Sequence, residues 1–256
     1  MNRILCYLIL MIAGGSLSAQ SADYYKVKSI SDTTKVSYLS KHQTPSRLRQ
    51  AILPFSLVAS GAIIESIPAH SGLGKANIQQ YANDHFTGFR TSADNFLQFA
   101  PVAAILGLEL SGVKGRNDLI NQWSIMAKSE LLMTAIVFSM KYVIHDTRPD
   151  GSADNSMPSG HTAQAFVSAT LLDMEYRDTS PWVSVAGYMC AVSTGFLRVA
   201  NNHHWASDVF IGAGIGMASV KLVYLTHRYR WGKKPAGVFI PTLYKNGGGV
   251  SFAMKF

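Results

Sequence analysis

The stretch VANNHHWASDVFIGAGIGMAS, residues 199–219, decides how this chain folds. Its second half is apolar and rich in small residues, and Gly212 and Gly216 stand four positions apart. On a helix this spacing places both glycines on one face, where the backbone of a neighbouring helix can approach closely. The first half holds titratable residues instead: His203, His204 and Asp208. The stretch therefore predicts a helix packed in a bundle, with its chemistry gathered at the start of that helix.

Apolar segments of helical length follow one another along most of the chain. They cover residues 51–68, 95–111, 119–145, 161–176, 181–199 and 208–226. Charged residues make up 15% of the sequence, well below the about 25% that is typical of soluble domains. We therefore expect an all-α fold, a membrane-embedded six-helix bundle. A soluble helical core with equally tight packing is the alternative.

The net charge of +8 favours anionic partners, such as phosphorylated lipid head groups or an acidic membrane surface. No basic run with interleaved aromatic residues is present, so a nucleic acid partner is not expected. The sequence does not indicate an oligomeric state.

The two ends of the chain differ from its centre. Residues 1–20, MNRILCYLILMIAGGSLSAQ, combine an early arginine, a short apolar core and small residues, which predicts a signal peptide. We expect residues 21–50 to be an exposed lead segment and residues 51–230 to form the helical domain. In residues 231–256, apolar residues alternate on both sides of KNGGG, which predicts a short C-terminal β-hairpin. Removal of the signal peptide would leave Cys190 alone, so no internal disulfide is expected.

Three polar blocks interrupt the apolar segments, and the first is KYVIHDTRP, residues 141–149. Lys141 and Arg148 are seven positions apart, so both can project from one face of a helix that Pro149 then ends. Two cations at a helix end suit a tetrahedral anion such as phosphate. They could instead be cations that extend toward the membrane surface.

The second block is PSGHT, residues 158–162, directly before an apolar helix. Ser159 and Gly160 would lie at the N-terminus of that helix, where unpaired backbone N–H groups bind anions. His161 in the first turn could donate a proton to a leaving group. Ser159 could also serve only as the helix N-cap.

The third block combines Arg198, which ends one apolar segment, with the histidines that open the next. His204 and Asp208 are four apart and so are predicted to share a helix face, where the carboxylate can accept the proton of one ring nitrogen. The other nitrogen is then free to act as a nucleophile. His203 has Ser207 at the same spacing, which leaves it a supporting or rim contact. A purely structural His–Asp hydrogen bond is the alternative.

In their order and spacing, the three blocks resemble the type 2 phosphatidic acid phosphatase family, which includes bacterial class A acid phosphatases and vanadium haloperoxidases. The resemblance covers residues 95–226. It implies that phosphate is held by Lys141, Arg148, Ser159, Gly160 and Arg198. It also implies that His161 is the general acid, His204 the nucleophile and Asp208 its orienting partner. The family usually has Ser before the third-block arginine, whereas this chain has Leu197, so one phosphate contact is in question.

The resemblance implies hydrolysis of a lipid phosphomonoester or pyrophosphate through a phosphohistidine. Lipid A phosphate, undecaprenyl pyrophosphate, phosphatidylglycerophosphate and phosphatidic acid are the expected substrates. No metal or other cofactor is expected, because the histidines lack the spacing of a zinc ligand set. The alternatives are a soluble periplasmic nonspecific acid phosphatase, a vanadate-dependent peroxidase and a non-catalytic envelope protein that binds anionic lipids.

The predicted topology contains a conflict. Basic residues before the first segment, between the second and third, and after the sixth would put the catalytic loops outside the cytoplasm. A cleaved signal peptide followed by six spans would put those loops inside. The conflict disappears if segment 51–68 does not span, if the bundle is soluble or peripheral, or if residues 1–20 are not a signal. We expect a protein of the bacterial cell envelope with its site on the periplasmic side of the membrane.

Overall fold

The computed structural model describes residues 47–227, 237–244 and 247–254, with side chains for residues 50–227. The predicted signal peptide and most of the predicted lead segment lie outside the described residues, as does the predicted boundary at residue 230. The described residues from position 54 onward belong to one compact unit. The packing described below is the packing within that unit.

The described residues contain eight α-helices followed by two strands. The helices are α1 (Arg47–Ser66), α2 (Lys75–His85), α3 (Ala93–Leu97), α4 (Ala100–Leu110), α5 (Leu119–Ile144), α6 (Gly160–Tyr176), α7 (Pro181–Ala200) and α8 (Ala206–Thr226). A short 3-10 turn, Ala69–Ser71, separates α1 from α2. Strands β1 (Gly237–Tyr244) and β2 (Gly247–Met254) pair antiparallel in the region where a hairpin was predicted.

The helical body agrees with the predicted all-α class, but the predicted count of six helices is wrong. Five apolar segments each correspond to one helix, whereas segment 95–111 covers the end of α3 and the whole of α4, and α2 is additional. Helix α2 has a largely polar sequence and buries only Gln79 and Ala82. Helix α3 has five residues, too few to show a helical period. Hydrophobic periodicity could therefore detect neither of them.

Two of the described helices, α7 and α8, are long and apolar enough to cross a membrane. Helix α6 has 17 residues and ends close to two buried carboxylates, Asp173 and Glu175. It is shorter than the about 20 residues that a bilayer span requires. Length and composition thus single out the last two helices, which enclose the third polar block.

Helix α6 forms the centre of the bundle and contacts α4, α5, α7 and α8. Its side chains are buried along most of its length, including Ala163, Val167, Leu171 and Tyr176. The glycines of α8 pack against its first turns. A methyl group at position 212 would lie 2.5 Å from the Ser159 carbonyl oxygen, and one at position 216 would meet the Ala163 carbonyl. This close contact fixes α8 against the start of α6.

We expect the Gly212→Ala substitution to destabilise the fold by about 1–3 kcal/mol, because backbone atoms must move to admit the methyl group. The apparent melting temperature of the purified protein measures the effect. Gly107→Ala is the matched control: position 107 lies on helix α4 with no atom in reach of an added methyl. Equal melting temperatures for the two variants would contradict the close packing of α8 on α6.

Candidate functional site

The three polar blocks meet at one end of the bundle. The first extends from the last turn of α5 into the following loop, the second begins α6, and the third joins α7 to α8. The backbone N–H of Ser159 donates to the Asp208 carbonyl at 3.1 Å, which ties the second block to the third. The charges of Arg198, Lys141 and Arg148 all act on the His204 ring. The structure therefore brings the predicted residues of all three blocks together.

His204 is buried in the turn before α8, and its Nδ1 lies 3.4 Å from Asp208 Oδ2. The same carboxylate oxygen accepts hydrogen bonds from Ser156 Oγ at 2.5 Å and from the Trp205 N–H at 3.0 Å. An N–H on Nδ1 directed at this carboxylate leaves the lone pair of Nε2 free. The pair can therefore present a nucleophilic nitrogen.

The predicted shared helix face of His204 and Asp208 is wrong. Helix α8 begins at Ala206, so His204 precedes the helix and only Asp208 lies in its first turn. The backbone turns back after α7 because the N–H groups of His203 and His204 both donate to the Arg198 carbonyl, at 3.0 and 3.3 Å. Asn202 takes a left-handed conformation, with φ of 62°, to close this turn.

The His204 ring is kept uncharged by its surroundings. Burial disfavours the imidazolium, and the Arg198, Lys141 and Arg148 charges disfavour it further, so the pKa of His204 lies well below its usual value. A neutral imidazole is the form that can act as a nucleophile. Burial and the same cations that could hold an anion both favour that form.

The first block differs from its predicted geometry. Helix α5 ends at Ile144, and His145 reverses the chain in a left-handed conformation with φ of 50°. Arg148 therefore lies in a loop and not on the Lys141 helix face. Its backbone N–H donates to the Ala153 carbonyl at 3.0 Å. The Lys141 ammonium donates to the backbone carbonyls of Asn155 and, at 3.3 Å, Ser156.

Arg198 is buried with a counter-ion that the sequence did not suggest. Its guanidinium donates to Asp94 Oδ2 at 2.7 Å, and both side chains are almost completely enclosed. Asn201 supports the pair: its side-chain amide donates to Asp94 Oδ1 at 3.4 Å and to the Thr91 carbonyl at 2.8 Å. The buried Nε atoms of Arg198 and Arg148 have no partner among the described residues. Each arginine thus keeps hydrogen-bonding capacity for an anion.

The second block begins α6 as predicted, with Ser159 as N-cap and Gly160 as the first helical residue. Ser159 Oγ accepts from the Thr162 N–H at 3.4 Å and from the Thr162 hydroxyl at 2.9 Å. These contacts agree with the capping role that was the alternative for Ser159. The N-terminus of α6 adds its partial positive charge to the cations around His204.

His161 lies in the first turn of α6, and its Nε2 donates to Asn95 Oδ1 at 2.9 Å. Burial first, and then the nearby Arg198 charge, lower the pKa of His161 to about 4. The ring is therefore neutral at physiological pH. A bound dianion would offset the cations and favour the protonated form that a general acid requires.

Sequence reasoning missed three polar residues of this site: Asp94, Asn95 and Ser156. Asp94 and Asn95 come from helix α3, far from the blocks in sequence, and Ser156 precedes the second block by a few positions. The sequence offered one signal for these residues, namely the acidic Asp94 directly before the apolar segment 95–111. Among the described residues, no three His, Cys, Asp or Glu side chains cluster as metal ligands would. The arrangement suits binding and attack of a tetrahedral anion by protein groups.

Residues 134–232 match a protein family described as the PAP2 superfamily. A Lipid A 1-phosphatase of Porphyromonas gingivalis is 47% identical over 146 residues, which are 54% of this chain and 32% of the relative. The match thus spans about a third of the relative's length. The residue range matched by the family contains all three polar blocks but not helix α3.

Two solved structures are similar. The first is LpxE of Aquifex aeolicus, with a TM-score of 0.46 and 20% identity over 59% of this chain and 94% of that chain. The second is a transmembrane PAP2 type phosphatidylglycerolphosphate phosphatase of Bacillus subtilis. Its TM-score is 0.45, with 19% identity over 70% of this chain and 98% of that chain.

We expect Asp94→Leu to destabilise the protein by about 3–5 kcal/mol, because it leaves the Arg198 charge buried without a partner. Melting temperatures measure the effect. Replacing both members, Asp94→Leu with Arg198→Met, should restore much of the loss. Asp84→Leu, a change at an exposed position of α2, is the control and should shift stability little. A double variant no more stable than Asp94→Leu would contradict the pairing.

We expect sulfate binding to draw a proton onto His161 at a pH between about 4 and 6.5. The dianion favours the charged ring, so the pKa of His161 rises on binding and the protein takes up a proton. Titration calorimetry in two buffers of different ionisation enthalpy measures the uptake. His161→Asn should lose most of it, whereas His85→Asn, at an exposed histidine on α2, should keep it. Equal uptake by wild type and His161→Asn would contradict the assignment.

Proposed function

We propose that this chain is a phosphatase that removes phosphate from a lipid without a metal ion, as the match of residues 134–232 to the PAP2 superfamily supports. The observation that carries the proposal is the convergence of three cations on a buried, neutral His204. The identity to a Lipid A 1-phosphatase supports a lipid substrate. In this mechanism, the fixed positive charges of Lys141, Arg148 and Arg198 stabilise the phosphate in place of a metal ion.

In the first step, the Nε2 lone pair of His204 attacks phosphorus in line with the bond to the leaving oxygen. A nitrogen–phosphorus bond forms while the phosphorus–oxygen bond breaks, and His161 gives its proton to the departing oxygen. The three cations and the N-terminus of α6 stabilise the negative charge on the equatorial oxygens. Asp208 holds the imidazole through Nδ1 and stabilises the charge that the ring acquires.

In the second step, water attacks the phosphohistidine. His161, now neutral, accepts a proton from that water, the nitrogen–phosphorus bond breaks, and phosphate leaves with His204 regenerated. His161 therefore alternates between its protonated and neutral forms. After the phosphate has left the site, the lowered pKa of His161 favours the neutral form.

Among the expected substrates, lipid A phosphate is the first choice because of the Porphyromonas relative. Undecaprenyl pyrophosphate, phosphatidylglycerophosphate and phosphatidic acid remain in the substrate panel. We further propose that the protein belongs to the bacterial cell envelope, that residues 1–20 act as its export signal, and that its site faces the periplasm.

A soluble periplasmic acid phosphatase is the second candidate function. The observation that favours it is that only α7 and α8 of the described helices pass the test of length and apolar composition for a membrane span. This candidate predicts recovery of activity without detergent and turnover of small phosphomonoesters. Retention in the membrane fraction and preference for lipids would exclude it.

We expect wild-type protein to release phosphate from at least one lipid of the panel, and rapid acid-free quenching to trap phosphate on His204. His204→Ala should lose the trapped label and at least about 100-fold in rate. His85→Ala, an exposed histidine on α2, is the matched control and should keep both. Lipid binding without release or label would instead identify a non-catalytic binder.

A further inference from the structure

Helix α2 begins with a lysine, at a position where a helix disfavours a cation. Lys75 is its first residue, and the N-terminus of a helix carries partial positive charge. The side chain is nevertheless ordered against the protein and only 23% exposed. Lys75 therefore contributes nothing to the stability of α2 itself, and the reason for a lysine here lies in the groups that its ammonium contacts.

The Lys75 ammonium joins three separate parts of the chain. It donates to Glu65 Oε1 of α1 at 2.6 Å and to Asp146 Oδ1 of the loop after α5 at 2.9 Å. It also lies 5.2 Å from the centre of the Trp205 ring, in the turn before α8, which is within cation–π distance. Burial alone would lower the pKa of Lys75, but the two carboxylates outweigh burial and raise it. The side chain is therefore a fixed positive charge.

The contact with Asp146 leads to the phosphate-binding loop. Asp146 precedes Arg148 by two positions, and its carbonyl accepts from the Ser156 N–H at 2.8 Å. The Ser156 hydroxyl in turn donates to Asp208. Burial raises the pKa of Asp146, and the hydrogen bond and charge of Lys75 oppose that rise. The ion pair thus keeps the Asp146 carboxylate charged and fixed at the start of the loop that carries Arg148.

The contact with Trp205 leads to the proposed nucleophile. Trp205 directly follows His204, and its backbone N–H donates to Asp208 Oδ2 at 3.0 Å. Its indole N–H donates to the Thr147 carbonyl at 2.8 Å, in the same loop that Lys75 holds through Asp146. The loop of the first block and the turn of the third block are therefore in direct contact, and Lys75 binds both of them.

The next turn of α2 holds the same catalytic turn from its other side. Gln79 is buried, and its amide donates to the Val199 carbonyl at 3.0 Å and to Asn202 Oδ1 at 2.9 Å. Asn202 is the residue whose left-handed conformation closes the turn before His204. Lys75 and Gln79 are four positions apart and so share one face of α2. That face contacts the turn at both ends.

We propose that Lys75 is a positioning residue for the reaction: its ammonium holds the loop that carries Arg148 against the turn that carries His204. It acts through Asp146 and Trp205 and not on the substrate. The inference rests on the proposed phosphatase function. Without Lys75, the phosphate-binding cation and the attacking nitrogen lose their fixed separation, and a displacement of about 1 Å in such a site can cost about 100-fold in rate.

Lys75→Met in the full-length protein tests the role through phosphate release from the panel lipid that the wild type hydrolyses fastest. At a temperature below the melting transition of every variant, kcat should fall about 10- to 100-fold. KM should change by less than about threefold, because no substrate contact is lost. Lys75→Arg keeps a cation that can donate to both carboxylates and should stay within about threefold of wild-type kcat.

Asp146→Asn is the second test, since it keeps the shape of the side chain and removes only its charge. It should lower kcat in the same direction as Lys75→Met. The double variant should be no slower than the slower single variant, because both changes break one link. Single-variant losses that multiply in the double variant would overturn the role, and so would wild-type kcat in Asp146→Asn. Should Lys75→Met fail to fold, Asp146→Asn decides.

Arg177→Met is the matched control, because it breaks an ion pair at the end of α6 that is opposite to Ser159. Arg177 Nε donates to Asp173 Oδ1 at 2.8 Å. This variant should lower the melting temperature and keep wild-type kcat. Wild-type kcat in Lys75→Met, or an equal loss of kcat in Arg177→Met, overturns the positioning role while the phosphatase stands. Wild-type protein that releases phosphate from no lipid overturns the proposed function itself.

Discussion

Helix α8 lies so close to the start of α6 that only glycine fits at position 212, because the Ser159 carbonyl occupies the space of a side chain. In the same region the Ser159 N–H donates to the Asp208 carbonyl. Backbone atoms thus hold the N-termini of α6 and α8 together. His161 belongs to the first turn of one helix and Asp208 to the first turn of the other. Their separation is set by helix packing, which is more rigid than a loop.

Around these two helix ends, the cations of the site are not all paired with carboxylates. Arg198 has one full counter-ion, Asp94. Among the described residues, the Lys141 ammonium donates to backbone carbonyls, and the buried Nε of Arg148 has no partner. Burial lowers the pKa of both histidines and keeps them neutral, and the nearby cations lower it further. A tetrahedral anion, as in the proposed function, would supply the missing negative charge. Asp94 gives Arg198 a fixed partner.

The sequence predicted those parts of the site whose geometry is local. Ser159 and Gly160 could be assigned to a helix start because capping depends on adjacent residues. The turn that removes His204 from α8 was not predictable, since it depends on the Arg198 carbonyl accepting two N–H groups. Asp94 was missed for another reason: it is 104 positions from Arg198, and no spacing rule reaches that far. Helix α3, which carries it, is too short to leave a periodic pattern.

The hydrogen bond from Arg198 to Asp94 limits how far the chain can be truncated from its N-terminal side. The family match begins at residue 134, so a fragment cut to that boundary would contain every residue of the three blocks and still lack α3. Such a fragment would bury an arginine with no neutralising carboxylate and leave His161 without its amide acceptor. The smallest piece able to reconstitute the centre must therefore begin before Thr91, well upstream of the recognisable motifs.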